Sequence, residues 1–164
     1  MSPVLSSLAP AFLAPAHAGH GARAARHRGR LHYLLAADET GLAELEAVAA
    51  LLPLCASGRA FIEVADASDI PPLHLPPRMT VTILDRSRRG GAPGTGLGCA
   101  RGEALARAVR GWSGEMVLAG DEDDIRVWLG GDYRSVQPAW EILTDERGVP
   151  AERITTPPVY LLGR

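Results

Sequence analysis

The sequence predicts an α/β protein in which a mostly parallel sheet lies between two layers of helices. Short apolar runs, two of them rich in β-branched residues, alternate with segments whose apolar residues recur at helical spacing. The 164 residues suit one core of ordinary size, with or without a tail. Because alternating strands and helices form parallel sheets with right-handed crossovers, we expect a single three-layer α/β domain.

The first half of this domain is predicted to contain three strands and one helix. Apolar runs predict the strands at residues 31–37, 60–65 and 79–84. Residues 38–40 supply helix-capping side chains directly after the first strand. The helix that follows ends before Pro53 and carries apolar residues at helical spacing: Leu42, Leu45, Ala49 and Leu52.

The middle of the chain begins with a break at residues 86–101 that is dense in Arg and Gly. Its glycines fit neither GxGxxG nor a phosphate-binding loop ending in GK[ST], so we expect a flexible surface loop. Leu105, Val109 and Trp112 then predict a helix that ends near Gly111 and Gly114. A short acidic stretch after this helix predicts a solvated loop, at residues 120–124.

The last part of the chain is predicted to contain two strands and one helix. Residues 126–129 predict the fourth strand. With Ser135 as N-cap, Pro138 falls in the first turn of a helix, where its missing N–H costs nothing, and Gly148 ends that helix. Residues 154–162 predict a closing strand, which its two prolines confine to an edge or a bend.

The first 30 residues differ from the rest in charge and periodicity. They carry four Arg and no acidic residue, without helical or strand spacing. We expect a flexible basic tail at residues 1–30 and the domain at residues 31–164. The apolar opening loosely resembles a secretion signal, but it lacks an N-terminal positive charge and is interrupted by Pro10 and Pro15. A cytoplasmic location is the first expectation, and secretion is the alternative.

Composition excludes several classes of function. The net charge of −2 gives no general attraction to nucleic acid, and no apolar stretch approaches the roughly 18 residues of a membrane span. All 17 basic residues are Arg, so mechanisms that need a lysine are excluded. Two separated cysteines, and histidines concentrated in the tail, predict neither a disulfide framework nor a metal site.

The carboxyl ends of the strands are where a parallel α/β sheet binds its ligands, beside the point at which strand order reverses. Three segments should therefore converge: residues 37–41, 85–89 and 130–133. In the first segment, backbone N–H groups and the Thr40 hydroxyl could hold a phosphate at the start of a helix. Asp38 and Glu39 would repel that phosphate, and acidic residues are common at helix starts in any case.

Four short stretches occur in a specific order: Leu-Leu-Ala-Ala-Asp-Glu-Thr at residues 34–40, Phe-Ile-Glu-Val-Ala-Asp at 61–66, Val-Trp-Leu-Gly-Gly-Asp at 127–132 and Glu-Arg-Gly-Val-Pro at 146–150. Together they resemble the C-terminal half of siderophore-interacting proteins, which are flavin-dependent ferric-siderophore reductases related to the ferredoxin-reductase superfamily. The similarity spans about residues 31–160. It implies a Rossmann-like domain that binds NADPH or NADH.

The resemblance also implies where the flavin would come from. In the family, an N-terminal β-barrel half binds FAD, and residues 1–30 are too few and too irregular to form such a barrel. We therefore expect that this chain alone does not bind FAD. A reductase of this kind would use flavin from a flavin-binding partner protein or from solution.

Carried over by position, the implied cofactor-binding residues follow the first, third and fourth strands: Asp38, Glu39, Thr40, Arg86, Gly130, Gly131 and Asp132. Thr40 would approach the pyrophosphate or the nicotinamide ribose, and the two glycines would let the cofactor pass close to the backbone. Arg86 follows the third strand, where related reductases hold the 2′-phosphate of NADPH, although an exposed loop arginine fits the sequence equally well. Asp66 could instead accept a hydrogen bond from a ribose hydroxyl, as in NAD sites.

Two functions from different classes remain open on the sequence. The first is an NAD(P)H-binding reductase component of siderophore iron release that borrows its flavin. The second is a non-catalytic binding or regulatory module derived from the same domain. In the family, an aromatic C-terminal motif lies near the flavin and nicotinamide, and residues 158–161 replace that motif here. No catalytic side chain is implied by either function.

Overall fold

The computed structural model describes residues 31–117 and 125–162 of the chain. Within these ranges it consists of one sheet with helices on both faces. The predicted basic tail at residues 1–30 and the predicted acidic loop at residues 120–124 lie outside the described residues. No helix in the described part of the chain is both long enough and apolar enough to cross a membrane.

Five parallel strands form the sheet in the order β3-β2-β1-β4-β5. Their bounds are β1 His32–Asp38, β2 Ser57–Val64, β3 Arg78–Asp85, β4 Ile125–Gly130 and β5 Ile154–Thr155. Strand order reverses between β1 and β4, because the chain runs outward from β1 to β3 and then returns to the other side of β1. The predicted parallel α/β fold is confirmed.

In the described part of the chain, three α-helices cover the sheet: α1 Leu42–Leu51, α2 Glu103–Val117 and α3 Tyr133–Glu141. One face carries α1, whose buried residues cluster with those of the strands: Leu45, Val48 and Ala49 with Leu35, Ile62 and Trp128. The other face carries α2 and α3: Val109, Val136 and Ala139 cluster with Leu34, Val127 and Leu129. Successive residues of β1 therefore enter opposite cores, which explains its continuous apolar run.

The start of α3 corrects the predicted helix cap. Asp132 is the N-cap and accepts a 2.8 Å hydrogen bond from the Arg134 N–H, so Ser135 already lies in the first turn. Pro138 lies inside the helix instead of in its first turn. The Arg134 carbonyl, four residues before Pro138, therefore receives no N–H from it. The backbone of Gly102 packs so closely against this carbonyl that a Cβ would overlap it.

Two other boundaries differ from the predictions, whereas the predicted end of the last helix at Gly148 is confirmed. The helix α2 continues through Gly111 and Gly114 to Val117, so these glycines do not end it. A π-helical turn, Ile142–Glu146, extends α3 before Gly148 adopts a φ of +66°. The closing strand β5 has only two residues, because the prolines that follow cannot donate to a strand ladder and lead into a 3₁₀ turn, Pro158–Tyr160.

Residues 86–101, predicted as a flexible surface loop, contain defined structure. A 3₁₀ turn, Arg86–Arg88, opens the segment, and an antiparallel bridge joins Gly90 to Gly98. The Arg107 side chain on α2 donates hydrogen bonds to the carbonyls of Gly90 and Gly91, at 3.0 and 3.3 Å. These contacts attach the segment to α2 next to the carboxyl end of β3.

Candidate functional site

The turns after β1 and β4 meet around the fully buried carboxylate of Asp38. One carboxylate oxygen accepts hydrogen bonds from the N–H and the hydroxyl of Thr40, at 2.9 and 2.6 Å. The other accepts from the Asp132 N–H at 3.1 Å and from the Ser135 hydroxyl at 2.7 Å. Burial opposes ionisation of Asp38, but these four hydrogen bonds outweigh it and hold its pKa below the ordinary value.

Glycines allow the two turns to touch through their backbones. A Cβ on Gly41 would lie 2.6 Å from the Gly131 nitrogen, and a Cβ on Gly131 would overlap the Asp38 carboxylate. Gly131 also has a φ of +102°, which side-chain-bearing residues rarely adopt. A Cβ on Gly130 would overlap the ring of Trp128. The predicted convergence of the segments after β1 and β4 is therefore present, in close backbone contact.

The same local motif closes the turn after each of the first three strands. The motif is an Asp followed two residues later by Ser or Thr, and the carboxylate accepts hydrogen bonds from both the backbone N–H and the hydroxyl of that residue: Asp38 with Thr40, Asp66 with Ser68, and Asp85 with Ser87. Such turns place an acidic residue at each strand end for a local reason. The repeated D-x-[ST] pattern is visible in the sequence, and our sequence reasoning missed it.

Arg86 lies at the end of β3 between two carboxylates. It donates to both oxygens of Glu39, at 2.8 and 3.0 Å, and to Glu63 at 3.0 Å. Its side chain is only 12% exposed. The hydrogen bond with Glu39 is the main reason that the pKa of the guanidinium is raised, with a further contribution from Glu63. The segment after β3 thus joins the segment after β1 through an ion pair.

Glu63 is the fully buried member of this network. Besides Arg86, it accepts hydrogen bonds from the backbone N–H groups of Gly102 and Leu105, at 2.6 and 2.7 Å. It therefore caps the start of α2 from the neighbouring strand β2. Sequence reasoning gave Glu63 no role of its own. A charged residue within the apolar run Phe61–Val64 could have indicated one, because buried carboxylates are nearly always paired.

Arg101 is the second residue that sequence reasoning missed. It lies in the connection from β3 to α2, and its Nη2 donates to Glu39 Oε1 at 2.6 Å. Its Nη1 lies 3.9 Å from Asp132 Oδ2. Burial opposes ionisation of Glu39, but Arg86 and Arg101 together hold its pKa below the ordinary value. No local pattern marks Arg101, because its partners belong to distant turns.

An open cleft of about 480 Å³ lies beside the carboxyl end of β3. It is lined by Ala67, Ile83, Asp85, Arg88 and Arg89. Arg88 is 83% exposed and lies 3.3 Å from the Asp85 carboxylate. The lining of the cleft therefore combines two apolar residues with two arginines and one carboxylate.

The C-terminal turn packs against the turn after β4. The Tyr160 hydroxyl donates a short hydrogen bond to the Gly131 carbonyl, and its ring meets that of Tyr133 edge-on with centroids 5.4 Å apart. Burial raises the pKa of Tyr160, and the Asp132 and Asp38 carboxylates add to this shift. Tyr160 thus supports the backbone of Gly131.

The structure brings six of the seven predicted cofactor-binding residues together directly, in the turns after β1 and β4: Asp38, Glu39, Thr40, Gly130, Gly131 and Asp132. Arg86 joins them through Glu39. Their part in binding a cofactor stays a prediction. Among the described residues, no group of three or more His, Cys, Asp or Glu side chains is arranged to hold a metal ion.

Comparison with known proteins identifies the family to which this chain belongs. The siderophore-interacting protein family matches residues 31–158, which include all seven predicted cofactor-binding residues. This chain belongs to the siderophore-interacting protein family. The family resemblance read from the four sequence stretches is therefore confirmed. No curated protein matches the chain.

Solved structures of siderophore-interacting proteins share the fold. A siderophore utilization protein from T. fusca is 32% identical, with a TM-score of 0.52, and the match covers 76% of this chain and 42% of that one. The siderophore-interacting protein SipS from Aeromonas hydrophila is 23% identical, with a TM-score of 0.54 and coverages of 78% and 45%. This chain thus spans less than half the length of either protein.

A more distant structure extends the similarity of fold. A ferredoxin-NADP⁺ reductase from Plasmodium falciparum has a TM-score of 0.50 at 9% identity, and the match covers 77% of this chain and 52% of that one. At this identity the likeness concerns the fold alone. The siderophore-interacting domain therefore has the α/β architecture of ferredoxin-reductase-like proteins.

Proposed function

We propose that this siderophore-interacting domain binds NADPH or NADH at the carboxyl edge of its sheet and acts as the nicotinamide-binding component of a ferric-siderophore reductase. The observation that carries the proposal is the meeting of the turns after β1 and β4 around Asp38, at the point where strand order reverses. Membership of the siderophore-interacting family supports the substrate class.

In this proposal, the turn residues bind the cofactor mainly through their backbones. Gly130 and Gly131 set the path of the turn after β4, because a Cβ on either would overlap Trp128 or Asp38, and the dinucleotide would contact the backbone of this turn. Thr40 lies in the turn that leads into α1, where the helix dipole favours a phosphate. Asp38 is buried and accepts four hydrogen bonds, so it positions these two turns from beneath.

The 2′-phosphate of NADPH would lie at the carboxyl end of β3. Arg86 is at the predicted place, but its guanidinium is already bound to Glu39 and Glu63. Direct contact between Arg86 and a phosphate would require Glu39 to move. Arg88 and Arg89 line the adjacent cleft and are exposed, so they supply positive charge to the same region without such a rearrangement.

The reaction would need a flavin, which we propose comes from a partner protein or from solution. A flavin accepts a hydride from the nicotinamide and passes electrons on singly, as reduction of Fe³⁺ requires. The chain spans under half of the siderophore utilization protein from T. fusca and of SipS from Aeromonas hydrophila. In this proposal, a partner protein supplies the unmatched part. The contribution of this domain would be to bind and orient the nicotinamide cofactor.

A non-catalytic binding module is the second candidate. The observation that favours it is the pairing of Arg86 with two carboxylates, which lowers the positive charge offered to a phosphate. Such a module would keep the fold and the turns of the family without binding NADPH or NADH.

Calorimetric titration of the purified chain with NADPH and with NADH distinguishes the two candidates. The proposal predicts saturable binding of at least one of them. Gly131→Ala should abolish it, because the new Cβ would overlap Asp38, whereas Gly94→Ala should retain it, because that glycine also has positive φ but faces open space. Thermal melts would verify that both variants fold. Absence of binding by the parent chain would refute the reductase proposal.

A coupled assay then tests the need for flavin. The chain is incubated with NADPH and a ferric siderophore, with and without added FAD or FMN, and NADPH oxidation is followed by the loss of NADPH absorbance. We expect faster oxidation than in a protein-free control only when flavin is present. Oxidation at the same rate without flavin would contradict the proposed division of roles.

A further inference from the structure

Arg101 crosses the carboxyl end of the sheet at the point where strand order reverses. It comes from the connection between β3 and α2, yet its guanidinium contacts Glu39 after β1 and approaches Asp132 after β4. The strands β1 and β4 are neighbours on either side of the reversal. The guanidinium therefore lies beside the crevice in which sheets of this kind bind their ligands.

The exposure of Arg101 distinguishes it from Arg86. The Arg101 side chain is 35% exposed, and its partners Glu39 and Asp132 are 27% and 40% exposed. Ion pairs at this exposure are weak and exchange readily with solvent. Arg86 is 12% exposed and bound to the fully buried Glu63, so its departure would leave a buried carboxylate without its cation. Arg101 is thus the more readily displaced arginine of the network.

We propose that Arg101 binds the phosphate groups of the dinucleotide and that Glu39 is the partner it leaves when the ligand enters. This inference rests on the proposed function. A guanidinium matches phosphate oxygens in both charge and geometry. When Arg101 leaves, both oxygens of Glu39 still accept hydrogen bonds from Arg86, so Glu39 is not left without a cation.

The proposal predicts opposite effects for the two partners of one ion pair. Arg101→Gln removes the phosphate-binding cation and weakens ligand binding. Glu39→Gln removes an anion that both competes for Arg101 and repels the ligand, so it strengthens binding. If the pair only stabilised the fold, both substitutions would weaken binding.

The test is calorimetric titration of the full chain with NADPH and, separately, with inorganic pyrophosphate. The variants are Arg101→Gln, Arg101→Lys and Glu39→Gln. The control is Arg78→Gln. Arg78 is an exposed arginine at the amino end of β3, whereas the candidate site lies at the carboxyl ends of the strands. We expect about ten-fold or greater weakening for Arg101→Gln, partial recovery for Arg101→Lys, several-fold strengthening for Glu39→Gln and no change for the control.

Each result either supports or overturns the assignment. Unchanged binding of both ligands by Arg101→Gln would overturn it, as would equal weakening by Glu39→Gln in a protein that melts like the parent. If Glu39→Gln does not fold, the comparison of Arg101→Gln with Arg101→Lys decides, and equal loss in both would count against the assignment.

The two probes separate this assignment from the proposed function. If the parent binds pyrophosphate through Arg101 but neither nicotinamide nucleotide, the assignment of Arg101 stands and the proposed function fails. If the parent binds NADPH and Arg101→Gln binds it equally well, the proposed function stands and the assignment fails. Absence of binding with every probe would refute both.

Discussion

The hydroxyl of Ser135 donates a 2.7 Å hydrogen bond to the buried carboxylate of Asp38, 97 residues earlier in the chain. The bond joins the end of β1 to the first turn of α3. Asp132, the N-cap of the same helix, also donates its backbone N–H to Asp38. The two turns that form the candidate cofactor site are therefore held by one ionised side chain.

Removing the Ser135 hydroxyl should destabilise the protein. Ser135→Ala leaves a buried carboxylate with one hydrogen bond fewer, and we expect the free energy of unfolding to fall by about 1–3 kcal/mol. Urea denaturation followed by circular dichroism measures this change. Thr95→Ala is the control, because the Thr95 hydroxyl also makes hydrogen bonds, to the Ala92 carbonyl and from the Leu97 N–H, but is exposed. An equal effect of both substitutions would contradict the structural role of Asp38.

The lowered pKa of Asp38 makes stability depend on pH in a defined direction. The carboxyl group is ionised more readily in the folded protein than in the unfolded one, where its pKa is near 3.8. Its contribution is fully present above that value and is lost as pH falls through the folded-state pKa. Asp38→Asn should therefore unfold more easily than the parent at pH 7, and the difference should shrink below pH ~4.

The same experiment has a clear contrary outcome. Thermal melts of the parent and Asp38→Asn would be recorded from neutral to acidic pH. A difference in stability that stays constant across the acidic range would show that ionisation of Asp38 contributes nothing. Glu39, whose pKa is also lowered, titrates in the same direction, so the parent should lose stability in acid even apart from Asp38.

Glu63 should contribute more to the free energy of unfolding than an exposed glutamate does. Glu63→Gln removes the charge that pairs with Arg86 and places an amide N–H₂ against a group that donates to the carboxylate in the parent protein. We expect a loss of about 3 kcal/mol in the free energy of unfolding, typical of breaking a buried ion pair. Glu115→Gln, an exposed substitution on α2, should change it by less than about 0.5 kcal/mol. Similar values for the two variants would contradict this account of the network.

Substitutions of Arg86 and Arg88 should affect cofactor binding and thermal stability differently. Arg86→Ala leaves Glu63 without its cation, so it should lower thermal stability and weaken NADPH and NADH alike. Arg88→Gln should leave the melting temperature unchanged and weaken NADPH more than NADH, because Arg88 is exposed beside the proposed 2′-phosphate position. Selective loss of NADPH binding in a stably folded Arg86→Ala protein would instead show that Arg86 contacts the 2′-phosphate directly.

The sheet was predictable because its strands are buried on both faces. The residues of β1 alternate between the two cores, so periodicity disappears and a continuous apolar run remains, as in β4. The convergence of the turns after β1, β3 and β4 followed from topology alone. β5 was predicted too long, because its apolar residues continue into a turn that the prolines impose.

The candidate site was only partly predictable, because its key contacts are long-range. Both Asp132 and Ser135 are suitable N-cap residues for α3, so the sequence alone does not fix where the helix begins. The structure shows that Asp132 is the cap and that the Ser135 hydroxyl instead donates to Asp38. The ion pairs of Arg86 with Glu63 and of Arg101 with Glu39 join residues 23 and 62 positions apart. Neither spacing corresponds to a local pattern.

Mapping the cofactor onto the backbone tests whether NADPH binds at the carboxyl ends of the strands. Two-dimensional ¹H–¹⁵N NMR spectra of the labelled chain, recorded while NADPH is added, report which amides the ligand approaches. Binding at the carboxyl ends predicts saturable shifts in the turns after β1, β3 and β4, including Gly41, Arg88 and Gly131. Little change is expected at the amino ends of the strands, such as Ser57 and Met79. Shifts confined to the amino ends, or none at saturating NADPH, would contradict it.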